Sequence, residues 1–216
     1  MTTKTTSIIS ILLVAIAIIA GVLLWNQLPE QMASHWNAND QVDGTMTKFW
    51  GVFLMPLITL GMLALFLIIP NIDPLKANIV QFRESFNLFI VLIVAFMLFT
   101  HGLTLVWSLG FTNFKMSAAM LPFIGVLFIA IGLMLRKAKR NFFIGIRTPW
   151  TLSSDFVWDK THQLGSILFI VSGAFAFIGG LFGGATAFWL MFVPLTGSTI
   201  FLVIYSYVLY RNETKS

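Results

Sequence analysis

Cysteine is absent from the 216 residues, which excludes a disulfide framework and thiolate metal sites. Charge is almost as scarce: Asp, Glu, Lys and Arg make up 10% of the chain against 58% hydrophobic residues. No soluble domain has a core large enough to hide that much apolar surface, so the chain reads as an integral membrane protein. The net charge of +5 then means loops facing anionic lipid, and nucleic acid is not an expected partner. Acidic residues are missing from the interior of every apolar run, which argues against an ion-driven pump. Internal repeats, low-complexity tracts and a separate soluble domain are missing too, so residues 1–216 read as a single integral membrane domain.

Six apolar runs are present, at residues 7–25, 49–69, 85–109, 117–135, 164–181 and 188–210. Each is long enough to cross a hydrocarbon core of ~30 Å as a helix. The expected fold is all-α, a polytopic membrane helix bundle with six transmembrane helices. The first run follows a lone lysine, Lys4, and reads as an uncleaved span, because it is long enough to cross and no convincing small-x-small site follows it before Trp25. Pro56 and Gly61 in the second are tolerable where neighbouring helices satisfy freed backbone groups. The third carries Asn87, Thr100, His101, Thr104 and Ser108, so one side of it must face protein or water. The fifth, with Gly173, Ala174, Ala176, Gly179 and Gly180, permits close backbone approach. The sixth ends in Tyr205, Tyr207 and Tyr210, suited to a headgroup interface.

The cations set an expected orientation. Lys4, Lys76, Arg83, Arg136, Lys137, Lys139, Arg140, Arg147, Lys160, Arg211 and Lys215 fall on one side of the six runs; only Lys48 and Lys115 fall on the other. The positive-inside rule puts both termini and the 136–163 loop in the cytoplasm, and residues 26–48 outside. Six spans with both ends on one side are compatible with two three-helix halves of opposite orientation, though no sequence self-similarity supports such a division.

In the outer loop, His35, Asn37, Asp40 and Asp43 share one polar stretch with the turn formers Asn39 and Gly44. Three readings stand open: a divalent-cation site, a hydrogen-bonded cap at the headgroups, or a docking surface for a cationic polypeptide. No second histidine is near and no helix or strand spacing fixes the set, so no metal or other cofactor is assigned. Trp36 reads as an interface anchor. Within the third span, His101 is either a proton relay or ligand contact, or a neutral imidazole bonded to a facing helix.

The inner loop is the only long polar and aromatic interruption. Arg136, Lys137, Lys139 and Arg140 suit a helix end over an anionic leaflet. Phe142, Phe143, Ile144 and Ile146 then alternate with Gly145 and Arg147, as in a segment lying on the bilayer surface. Pro149 stops a preceding helix. Thr151 or Ser153 then caps a new one, with Asp155 in its first turn, that runs through Trp158 and His162 into the fifth span. Asp155 and Asp159 sit one turn apart, as do Trp158 and His162, and Arg147 is placed to fold back on either aspartate. Ser153, Ser154, Asp155 and His162 are too local to form a hydrolase triad, and no enzyme is expected.

The segment GIRTPWTL at residues 145–152, with Asn141 before it and Trp158, Lys160, Thr161, His162 and Gly165 after it, resembles the signature of the SdpI family, immunity proteins against a sporulation-delaying toxin. The outer LPEQMASHWNANDQVDG, followed by Lys48, resembles the accompanying DUF1648 module. It departs in having Ala33 in place of a proline ahead of the histidine, and Asp40 and Val42 in place of glycine and proline, while His35, Asn37, Asp43 and Lys48 are kept. The resemblance implies a six-pass protein in the lipid bilayer that protects its own cell from a secreted membrane-active peptide toxin and recruits a cytoplasmic transcriptional repressor. By the same resemblance, His35, Trp36, Asn37, Asp43 and Lys48 lie where toxin is met. Asn141, Gly145, Arg147, Thr148, Pro149, Trp150, Trp158 and His162 lie where the cytoplasmic partner docks. The chief rival is a small-molecule or lipid exporter lined by His101 and the glycine-rich fifth span; a membrane enzyme built on His35 and Asp43 has the least support.

Overall fold

The computed structural model describes residues 1–214; Lys215, the last cation of the charge pattern, lies outside them. Helix α1 (Thr3–Leu24) ends in a 3-10 turn, Trp25–Gln27, and leads to a hairpin of β1 (Gln31–Trp36) and β2 (Val42–Thr47). There follow α2 (Lys48–Ile72), the short α3 (Lys76–Val80), α4 (Arg83–Ser108), α5 (Met116–Leu135), the short α6 (Pro149–Ser153), α7 (Asp155–Gly179) and α8 (Gly184–Glu213). Among the described residues, α1, α2, α4, α5, α7 and α8 are long and apolar enough to cross a membrane, as the six apolar runs predict.

Packing follows the rule for helices in lipid, where small and weakly polar side chains face inward and large apolar ones face the hydrocarbon. On α1 the buried residues are Thr6, Ser10, Val14, Ala17 and Gly21, spaced one turn apart. Ile16, Leu65 and Val193 point outward. Helices α1, α2 and α4 pack on one another, α5, α7 and α8 do the same, and α4 against α5 joins the two sets. The bundle thus consists of two three-helix sets, an arrangement that no repeat in the sequence announces. The closest pair is α5 with α7: a Cβ added at Gly125 would lie 2.6 Å from the Gly173 carbonyl oxygen, and one at Gly173 would lie 2.6 Å from that of Gly125.

The residues expected on one side do gather at one end of the bundle. There Asn87 Nδ2 donates to the Met1 carbonyl (3.1 Å), Asn78 Nδ2 to the Arg140 carbonyl (2.8 Å), and the Phe142 N–H to Asp73 Oδ2 (2.9 Å). Ser154 Oγ donates to Glu213 (2.9 Å), bringing the end of α8 to the same place.

At the other end, residues 31–47 form an antiparallel hairpin where the sequence suggested an irregular loop. Its register pairs Gln31 with Thr47, Met32 with Met46, Ala33 with Thr45, His35 with Gly44 and Trp36 with Val42. Irregularities fall between Ala33 and His35 and between His35 and Trp36. They break the alternation by which a half-buried strand is recognised, and ahead of them adjacent Met32 and Ala33 are both buried, which departs from it as well.

Because the α5–α7 contact is backbone against backbone, Gly125→Ala is expected to cost ~2 kcal/mol through forced displacement. Gly61→Ala, where an added Cβ meets nothing within 4 Å, is the control. Thermal unfolding in detergent should separate the two, and equal melting temperatures would contradict the close packing.

Candidate functional site

The hairpin end of the bundle is organised by the hairpin tip. Asn37 Oδ1 accepts from the backbone N–H groups of Asn39 (2.9 Å) and Gln41 (3.1 Å), a side-chain-closed turn. Asp40 takes the left-handed conformation at φ 62°. Its carboxylate accepts from Ser117 N (2.7 Å), Ser117 Oγ (2.7 Å) and Gly184 N (3.0 Å). Those residues open α5 and α8, so one carboxylate satisfies orphan amides at the positive ends of two helices. It also ties the hairpin, which packs on α2 and α4, to the second helix set.

The remaining residues of this end are brought together in pairs. His35 Nδ1 hydrogen-bonds Asp43 Oδ1, both side chains being exposed. Lys48 Nζ lies 2.8 Å from Glu30 Oε1 and caps the Trp25 ring at 5.5 Å. Trp36, read from the sequence as an interface anchor, packs edge-on against Trp107 at 5.5 Å, with its Nε1 buried and unpartnered. His35, Asn37, Asp40 and Asp43 therefore turn to separate partners, and no three His, Asp or Glu residues converge among the described residues.

Beneath the hairpin lies a cavity of about 600 Å³, bounded by β1, α2, α4, α5 and α8. His101 lines it and is 1% exposed, with neither ring nitrogen in a well-formed hydrogen bond. Its nearest polar neighbour is the Ala17 backbone on α1. The Thr100 and Thr104 hydroxyls are engaged with carbonyls of their own helix, Phe96 O (3.0 Å) and Thr100 O (3.1 Å).

At the opposite end of the bundle, Asn141, 0% exposed, shapes the elbow. Its Nδ2 donates to the carbonyls of Lys139 (2.9 Å) and Ile144 (2.8 Å), and its Oδ1 accepts from Phe143 N (2.9 Å) and Ile144 N (2.6 Å). Gly145, at φ 125°, brings the chain over the Trp158–His162 stack, whose rings lie 3.9 Å apart. His162 Nε2 accepts from Ile146 N (3.0 Å), so Nδ1 carries the proton and donates to Trp158 O (2.8 Å). Trp158 Nε1 donates to Ala138 O (2.9 Å). Thr148 and Thr151 form a capping box around Pro149 in α6, Thr148 Oγ1 meets Ser206 Oγ at 3.0 Å, and Trp150 packs on Tyr207. A smaller cavity of about 240 Å³ lies against this elbow, between Phe66, Phe89, Phe143 and Ile146.

Two expectations change. Ser154, not Thr151 or Ser153, caps α7 by accepting from Val157 N, because Thr148 has already started the separate helix α6. That extra turn carries Asp155 back to Arg140, whose Nε lies 2.7 Å from Asp155 Oδ1, and Asp159 to Lys139 at 3.8 Å. Arg147 pairs with neither; its Nη1 donates to the Phe142 carbonyl at 2.7 Å. The readings of the sequence assigned no role to Asp73, whose buried carboxylate accepts from Leu75 N (2.6 Å) and Phe142 N, or to Ser117. The Asp-Pro pair at residues 73–74 was the one available signal, since it marks a turn.

Two substitutions test these junctions. Asp40→Ala leaves two helix starts without their shared acceptor, each charge-assisted bond contributing ~1.5–3 kcal/mol; it should lower the melting temperature and speed maleimide labelling of a Met120→Cys reporter several-fold. An unchanged labelling rate would mean the tip does not hold the cavity's roof. Gly145→Ala places a Cβ 2.5 Å from His162 Nε2 at a backbone angle that disfavours side chains. It should reduce folded yield, whereas Arg147→Ala should leave it near wild type.

Comparison with known proteins follows the same division into ends. Residues 137–206, holding the elbow, α7 and most of α8, match the SdpI/YfhL protein family. Residues 12–60, holding the hairpin and its flanking helices, match a domain of unknown function, DUF1648. The Immunity protein SdpI of Bacillus subtilis (strain 168) is 26% identical over 207 residues, covering 95% of this chain and 96% of that one. No solved structure matches. The chain is thus similar to the SdpI/YfhL proteins over its second half, to DUF1648 over its first helices and hairpin, and at 26% identity to one immunity protein along nearly its whole length.

Proposed function

We propose that this chain is a non-enzymatic membrane immunity and signalling protein. It sits with both termini and the 136–154 elbow in the cytoplasm and the hairpin outside, and it protects its own cell from a secreted membrane-active peptide toxin. The observation that carries this reading is the end-to-end similarity to a protein named for immunity, which spans the hairpin and the elbow alike. Geometry supplies a route between them. The hairpin rests on one helix set and is bonded through Asp40 to the other, so a ligand that prefers one arrangement of the sets shifts the population of both ends. On the inner side, exposed Phe142, Phe143 and Arg147 beside Lys137 and Lys139 offer a basic, aromatic surface for a cytoplasmic repressor.

One observation favours a second reading, export of a small molecule or lipid: the two cavities lie toward opposite ends of the junction between the helix sets. Export predicts substrate-dependent flux in proteoliposomes that is lost on His101→Ala. Immunity predicts none.

Sensitive cells expressing the chain should survive co-culture with a toxin-secreting strain, and killing that is undiminished at normal expression would reject immunity. The cysteine-free sequence makes orientation simple to test. In intact cells an impermeant maleimide should label Asn39→Cys and leave Ser153→Cys untouched until the membrane is permeabilised; the reverse pattern would invert the topology.

A further inference from the structure

The cavity beneath the hairpin holds polar groups that the fold leaves unused. His101 is buried and lines the cavity; one ring nitrogen turns to the Ala17 backbone on α1, and the ring makes no well-formed hydrogen bond, so its second nitrogen keeps a lone pair without a partner. Trp36 Nε1, a donor only, is buried and unpartnered on the same cavity. Buried polar groups are ordinarily satisfied, and two exceptions lining one space point to a ligand. The rest of the lining is apolar and rich in methionine: Met46, Met55, Met116, Met120 and Met191. Such unbranched, polarizable side chains repack around apolar groups of differing shape. At about 600 Å³ the space falls within the range of small-ligand sites.

We infer that this cavity is a binding site for an apolar peptide segment, whose side chains fill the methionine-lined space and whose backbone amide is read by His101 and Trp36. An amide both accepts and donates, and so can answer the indole N–H and the imidazole lone pair together. A lipid ester has no donor to offer the imidazole. Asp40 fixes the roof by holding the hairpin tip to the starts of α5 and α8. The inference deepens the immunity reading and rests on it for the side from which the peptide arrives.

The test uses the full chain in phosphatidylcholine nanodiscs and the probe acetyl-Leu-photoleucine-Phe-amide, with a diazirine-bearing phosphatidylcholine as the lipid arm. The peptide should crosslink saturably to the cavity segments of α2, α5 and α8, and be displaced by acetyl-Leu-Leu-Phe-amide. His101→Leu should weaken apparent affinity about tenfold, the effect of one buried hydrogen bond. Met120→Trp should weaken it as much by filling the space. Trp36→Phe, which keeps a ring against Trp107, should weaken it several-fold with an unchanged melting temperature. Peptide crosslinks elsewhere, affinity unchanged in folded variants, or lipid labelling of the cavity that the peptide does not displace would each overturn the assignment. Peptide binding as described in a chain that fails to protect sensitive cells would sink immunity and leave the cavity assignment standing. Protection that survives in His101→Leu and Met120→Trp, with peptide affinity unaltered, would sink the cavity assignment alone.

Discussion

Hydrocarbon offers no hydrogen-bond partner to a peptide group, and that constraint governs where this chain is able to depart from helix. Inside the apolar region the backbone is helical throughout, even at Pro56, Pro122 and Pro194. Where the chain turns, side chains take over the acceptor and donor roles. Asn141 makes four bonds to the backbone of its own elbow, Asp73 accepts from two backbone amides, and Asp40 accepts from the starts of two helices. The irregular segments are therefore the parts of the molecule most densely cross-linked by polar side chains.

The bundle's division into two helix sets gives those junctions a mechanical meaning. Within a set, contact is close and largely apolar, down to the backbone approach at Gly125 and Gly173. Between the sets, polar links sit at the ends: Asp40 joins hairpin to α5 and α8, and Asp73 and Asn78 join the α2–α4 connection to the elbow. Few such links hold a junction with cavities toward both ends. A change in relative position of the sets must break those bonds and shift α4 against α5, where Phe96 and Phe99 meet Phe123, and a ligand drives it only through differential affinity for the two arrangements.

The polar residues also sort by whether the fold uses them. His162 has a partner on each nitrogen and supports the elbow through Ile146 and the stacked Trp158. His35 and Asp43 satisfy each other in water, where an exposed pair contributes little to stability. His101, buried at the hairpin end of the bundle, has the Ala17 backbone beside it but no well-formed hydrogen bond. The three histidines of this chain thus occupy three different situations, and only their neighbours in space distinguish them.

Six spans, the expected gathering of the cation-bearing loops at one end, the close approach of the fifth span and a helix running from Asp155 into it were legible in the residues, because hydropathy, charge and small-residue content are local properties. Asn141, Gly145, Thr148, Trp158 and His162 stand out in the sequence as one short motif, and the structure gathers them into one elbow. The hairpin was not legible, since its irregular register erased the alternation on which strand recognition depends. The partners of Arg140, Asp155 and Arg147 were not either, because one short helix, α6, redirects the chain between them. Sequence alone determined that this chain lives in lipid and where it leaves it. Tertiary structure decided that Asp40, a mere turn residue in the linear pattern, binds two helix starts from elsewhere in the chain, and that His101 and Trp36 face one cavity, because both facts depend on helices packing across long separations.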